Sequence, residues 1–142
     1  MNALDRVITA FALRENRRPR VLLVEDDATL GRMLAWGFQE LGAQANLAST
    51  CAAARRFAAR ETADLMVLDA DLPDGDGITL AASLAREQPE AFIAICSGRH
   101  GLPHGPAGTP AVDAVLTKPV PEHRLRALLQ DALSAILSPE RH

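Results

Sequence analysis

Three short stretches of the chain, residues 21–24, 65–68 and 92–96, are apolar at every position. A strand with one wet face alternates apolar and polar residues, so unbroken runs of this length predict strands covered on both faces. Residues 43–48 and 114–117 are weaker candidates of the same kind. Between the runs the apolar period lengthens to that of a helix. Leu30, Leu34, Phe38 and Leu41 form one stripe that stops at Gly42, a usual residue after a helix end. Ala54, Phe57 and Ala58 mark a second helix, and Ile78, Leu80, Ala81 and Leu84 a third that ends before Pro89. Leu125, Leu128, Leu129, Ala132, Leu133, Ile136 and Leu137 make the clearest stripe, with Pro121 suited to the first turn. Five such strand–helix alternations predict an α/β fold, a parallel sheet with helices on both faces and right-handed crossovers.

Two segments depart from the pattern. Residues 99–111 hold three Gly and three Pro. Each interior Pro costs a helix about 3 kcal/mol and each Gly about 1, so a loop or a single turn is expected there and the fourth helix is degenerate. Residues 1–19 precede the first strand, with Leu4, Val7, Ile8 and Phe11 at helical spacing and Asn16-Arg17-Arg18-Pro19 after them. Two readings of this leader stay open: a frayed terminus, or an extra amphipathic helix that covers the domain or pairs with a second protomer. The expected organisation is therefore leader 1–19, one domain over 20–138 and a tail over 139–142.

Composition narrows the function classes. A length of 142 residues fits one domain, and 48% apolar with 23% charged residues excludes disordered and fibrous classes. A net charge of −3 lacks the basic excess of a nucleic-acid binder, and 4% aromatics with no Tyr gives no base-stacking surface. The longest apolar run, six residues over 91–96, is far short of the roughly 18 that cross a bilayer. Cys51 and Cys96 are too few for a disulfide framework, and the leader lacks a secretory pattern, so a reduced cytoplasmic setting is expected.

The chemistry gathers at the strand ends, where open α/β sheets place their functional crevice. Strand one runs into Glu25-Asp26-Asp27, strand three into Asp69-Ala70-Asp71, strand four into Ser97-Gly98 and strand five into Thr117-Lys118-Pro119. Carboxylates, a hydroxyl and an ammonium thus converge on one rim. Carboxylates about 4 Å apart repel by about 4 kcal/mol at an effective dielectric near 20, which a hard divalent cation such as Mg²⁺ relieves. A central carboxylate, a metal, a cation and a hydroxyl together suit phosphoryl transfer onto Asp69.

These four strand ends, with Leu72-Pro73-Asp74-Gly75-Asp76-Gly77 after the third, resemble the receiver domain of two-component response regulators, single-domain chemotaxis receivers included. The resemblance covers about residues 20 to 137 and implies a flavodoxin-like, doubly wound five-stranded sheet of order 2-1-3-4-5. It implies Asp69 as phosphoacceptor, Asp26 and Asp69 as direct Mg²⁺ ligands with the Asp71 backbone carbonyl, and Glu25 acting through a water. It implies Ser97 and Lys118 on the phosphoryl oxygens, a cis Lys118–Pro119 bond aiming the ammonium inward, and a structural turn at Asp76 and Gly77. The implied partners are a histidine kinase or phosphotransfer protein and a separate downstream protein, since no output domain follows Leu137. No direct nucleic-acid or membrane contact is expected, and the chain is expected as a monomer or weak homodimer. The resemblance implies a phosphorylation-dependent switch or relay intermediate that catalyses its own phosphorylation and dephosphorylation and is not an enzyme on other substrates.

Departures bear on output. Val115 stands where the family usually carries a switching aromatic, and the Gly/Pro-rich stretch replaces the fourth helix. An Asp71–Arg99 ion pair over the site would obstruct attacking water. The same residues admit three rival readings. Asp69-Ala70-Asp71 also looks like the nucleophile and acid of haloacid-dehalogenase-type phosphatases, but that reading needs a further acidic pair after the lysine, and only a helix containing Glu122 and Asp131 follows Lys118. A calcium loop through Asp69, Asp71, Asp74 and Asp76 fails at its sixth and twelfth positions, Asp74 and Leu80. A static, phosphorylation-independent interaction module stays open. Cys96, His100 and His104 read as packing and loop residues, His123 and His142 as exposed, and Trp36 as partly buried packing.

Overall fold

The structure, a computed structural model, describes residues 1–98 and 111–139. Its first elements are α1 (Ala3–Glu15), β1 (Arg20–Val24), α2 (Ala28–Glu40), β2 (Gln44–Ala48), α3 (Cys51–Arg60) and β3 (Leu65–Asp69). A hairpin, β4 (Asp71–Leu72) and β5 (Gly75–Asp76), leads into α4 (Gly77–Glu87), β6 (Phe92–Ser97), β7 (Ala114–Thr117) and α5 (Glu122–Leu137).

The apolar runs pair as one parallel sheet in the order β2-β1-β3-β6-β7. This is the expected 2-1-3-4-5 order, because β4 and β5 pair only with each other, Asp71 opposite Asp76 and Leu72 opposite Gly75. Strand residues alternate between faces. Val21 and Leu23 join the core beneath α1, α2 and α5, whereas Leu22 and Val24 join the core beneath α3 and α4. Both faces of the central strands β1, β3 and β6 are buried, which is why these strands carry no polar alternation.

Helix starts follow from capping side chains that satisfy free N–H groups of the first turn. Asn2 accepts from Asp5 N, Asp27 from Leu30 N, Thr50 from Ala53 N and Asp76 from Thr79 N, at 2.7–3.1 Å. Gly42, past the end of α2, takes a φ of +106°, where a side chain is disfavoured.

The leader forms α1, which packs along α5 with Leu4 and Phe11 buried. Asn16 ends it in the left-handed region, and Arg17 then folds back with its guanidinium 5.1 Å above the Phe11 ring. The same guanidinium bonds both carboxylate oxygens of Asp64 at 2.8 and 2.9 Å, and Asp64 also accepts the Arg20 N–H at 2.7 Å. A carboxylate buried as Asp64 is requires such pairing. Gln88 performs a similar service at the end of α3, donating to the Ala58 and Glu61 carbonyls and accepting from Ala63 N.

Trp36 differs from expectation. It is 65% exposed on the outer side of α2, beside Met33 at 63%. The residues of α2 that face the core are Gly31, Leu34 and Phe38, and position 36 lies opposite them on a helix of 3.6 residues per turn. Arg99, His100, His104 and nearly all of the 99–111 stretch lie outside the described residues, as does His142; His123 is exposed.

Candidate functional site

Parallel strands carry their C-terminal residues to one edge, and the structure gathers the predicted groups there. Asp69 is the last residue of β3 and Ser97 the last of β6, both buried; Glu25 directly follows β1 and is buried too. Asp26 is exposed at the mouth. Lys118 follows β7 through a cis bond to Pro119, and its backbone N–H donates to the Ser97 carbonyl at 2.8 Å. The Lys118 Nζ lies 2.8 Å from Glu25 Oε1 and 3.3 Å from Asp69 Oδ1. Glu25, Asp26 and Asp69 each offer a carboxylate oxygen, all within 4.8 Å of one another, and no other such trio occurs among the described residues. Glu122 and Asp131 are exposed on α5, outside that trio.

Backbone donors hold the carboxylates in place. Asp27 N–H donates to Glu25 Oε2 and Asp71 N–H to Asp69 Oδ1, each at 3.2 Å. The loop beyond Asp69 is drawn tight where Gly77 N–H reaches the Ala70 carbonyl at 2.9 Å. Gly77 has no alternative at this point, because a Cβ there would press on the Asp69 carbonyl oxygen and on Ala70 Cα.

The charge arrangement favours a cation. Three carboxylates against one ammonium leave two uncompensated negative charges, the charge of one divalent ion. Burial pushes the Glu25 carboxyl above its ordinary range, against the pull of the Lys118 bond and the Asp27 N–H, and the Asp69 charge adds to the rise. Burial works to lower the Lys118 ammonium, but its bonds to Glu25 and Asp69 outweigh this and raise it. Lys118 is therefore charged throughout the neutral range. The cysteines are bystanders: burial in β6 pushes the Cys96 thiol up to about 12, so it packs as a neutral side chain, and Cys51 is likewise free and buried.

Sequence reasoning passed over two contributors. Asp27 caps α2 and donates to Glu25; an Asp just ahead of the Leu30 stripe was the available signal. Asp74, given no role beyond its place in the Leu72–Gly77 motif and a rejected calcium loop, accepts the N–H groups of Cys51 and Ala52 at 2.8 and 3.1 Å. A contact spanning 23 residues leaves no local pattern.

Known proteins share the sequence pattern and the fold. The chain is 32% identical over 114 residues to the transcriptional regulatory protein GlrR of Escherichia coli, a match covering 80% of this chain and 26% of that protein. It is 32% identical over 80 residues to the photosynthetic apparatus regulatory protein RegA of Rhodovulum sulfidophilum, covering 56% of this chain and 44% of that one. The chain thus spans less than half the length of these curated relatives. A CheY-like response regulator receiver domain protein from Methanospirillum hungatei shares the fold with a TM-score of 0.78 at 23% identity, over 83% of this chain and 95% of its own. The response regulator receiver domain family matches residues 21–130, which span the parallel sheet from the second residue of β1 through β7 and take in Glu25, Asp26, Asp69, Ser97 and Lys118, and the chain belongs to that family.

Proposed function

We propose that this chain accepts a phosphoryl group on Asp69 from a histidine kinase or phosphotransfer protein and displays the changed state to a separate downstream protein. The observation that carries the reading is the Lys118 ammonium between Glu25 and Asp69, with Asp26 completing a carboxylate trio at the mouth. The donor set consists of oxygens alone, which suits Mg²⁺. Asp26 and Asp69 would hold the ion with the Asp71 backbone carbonyl, and Glu25 would act through a water. A bound Mg²⁺ would supply charge neutralisation for the incoming phosphoryl oxygens.

The remaining chemistry falls to the chain itself. One Asp69 carboxylate oxygen attacks phosphorus, the bond from phosphorus to the donor's imidazole nitrogen breaks, and the imidazole leaves with the electron pair. Lys118 exchanges its contact with Asp69 Oδ1 for a phosphoryl oxygen, retaining Glu25 as its anchor. The Ser97 hydroxyl, at the end of the neighbouring strand, takes another phosphoryl oxygen. Residues 20–138 form the receiver unit, with α1 as an addition to it.

The test is to incubate the full chain with acetyl phosphate and Mg²⁺ and read the intact mass. One phosphoryl group, not formed when a chelator is present from the start and absent from Asp69→Asn, is the expected result. A chain that stays unmodified with Mg²⁺ present refutes the switch and leaves a static interaction module.

A further inference from the structure

The hairpin β4–β5 follows Asp69 directly and carries Asp71 in its first strand. Its pairing is only two residues deep, too short to hold a fixed position by its own ladder. The base is secured by Gly77 N–H on the Ala70 carbonyl and by Asp76 capping α4. The tip is secured elsewhere. Both carboxylate oxygens of Asp74 accept N–H groups from the first turn of α3, Cys51 at 2.8 Å and Ala52 at 3.1 Å. The packing there is close, since a Cβ on Gly75 would come within 3.2 Å of Cys51 Sγ.

Helix α3 also has a cap of its own. Thr50 accepts from Ala53 N, so Asp74 supplies what Thr50 cannot reach. The two caps differ in one respect that matters here. Thr50 ties α3 only to itself, whereas Asp74 ties α3 to the hairpin beside the site.

We infer that Asp74 is a positioning residue for the metal-holding side of the site: by capping α3 across the chain it moors the hairpin that carries Asp71, so that the Asp71 carbonyl is in place before the ion arrives. This rests on the proposed phosphoacceptor reading, in which that carbonyl is a ligand. The Asp74 carboxyl is held below its ordinary range by these same backbone bonds, so the mooring stands at neutral pH. With the mooring cut, part of the hairpin must be ordered at the moment of binding. Ordering about one backbone residue corresponds to roughly tenfold weaker Mg²⁺ binding.

The experiment titrates Mg²⁺ alone into the full chain by calorimetry, for the native protein, Asp74→Ala and Thr50→Ala, with urea unfolding of each. Asp74→Ala is expected to weaken Mg²⁺ roughly tenfold, whereas Thr50→Ala loses unfolding stability but binds as the native chain does. With acetyl phosphate, Asp74→Ala needs more Mg²⁺ for half-maximal phosphorylation and reaches the native rate at saturation. Asp74→Asn keeps one accepting oxygen and falls between the two, and it carries the comparison if the alanine variant does not fold. Native Mg²⁺ affinity in Asp74→Ala, or an equal loss in Thr50→Ala, overturns the positioning role while leaving the site reading intact. A native chain that binds no Mg²⁺ overturns both.

Discussion

Gly77→Ala opposes two effects whose magnitudes decide the outcome. Gly77 is buried and is the first residue of α4, so replacing it with Ala gains up to about 1 kcal/mol from helix propensity and a less flexible unfolded chain. Against this, the new Cβ meets the Asp69 carbonyl oxygen, with Ala70 Cα at 3.1 Å and Asp69 C at 3.2 Å. All three are backbone atoms, which no side-chain rotation can clear. Overpacking costs about 1–3 kcal/mol, and a clash with backbone alone belongs in the upper part of that range, about 2–3, so after the gain net stability falls by about 1–2 kcal/mol. With a urea m-value near 2 kcal/mol per molar, the unfolding midpoint drops by roughly 0.5–1 M at unchanged slope. Because the atoms displaced belong to Asp69 and Ala70, the rate of phosphorylation by acetyl phosphate falls as well. A midpoint equal to or above that of the native chain would show that the loop yields freely and that the close approach has no structural role.

Three further predictions concern α1 and the Lys118 ammonium. Phe11→Ala removes a fully buried ring from beneath α5 and leaves Arg17 without its aromatic partner; unfolding stability falls by about 3–5 kcal/mol in urea melts, and a loss below about 1 kcal/mol would mean that α1 is only loosely attached. Lys118 is the chain's single lysine, so amine-reactive labelling read by intact mass reports on it beside the α-amino group alone. Its ammonium is raised above the ordinary 10.5 by Glu25 and Asp69, so its stabilising contribution is complete below that pH and is lost as pH climbs through the folded value. Lys118→Met therefore abolishes part of the alkaline fall in stability, and Glu25→Gln speeds Lys118 labelling near pH 9; labelling at the native rate in Glu25→Gln would contradict the Lys118–Glu25 pairing.

Much of the fold was written in local patterns. Strands buried on both faces announce themselves as unbroken apolar runs, and their ends delivered Glu25, Asp26, Asp69, Ser97 and Lys118 to one edge. Strand limits shifted by a residue, enough to put Asp69 and Ser97 inside β3 and β6 instead of after them. What escaped has a physical reason in each case. The β4–β5 pairing is two residues long and shows no period. The Arg17–Asp64 and Asp74–Cys51 bonds join segments 47 and 23 residues apart, and only the folded chain brings them together. Trp36 is different, because its position two residues past Leu34 already set it on the outer side of α2; its apolar character suggested burial and the helical period argued otherwise. The 99–111 stretch and the Asp71–Arg99 pair lie almost wholly outside the described residues.

The account turns on which atom receives the phosphoryl group. Reduction of the acetyl phosphate-treated chain with borohydride converts an aspartyl phosphate to homoserine, and peptide sequencing then reads the position directly. Homoserine at residue 69 and at no other acid, formed only with Mg²⁺ present, is the predicted result. Homoserine at Asp26 or Asp71 with residue 69 still aspartate would contradict the account.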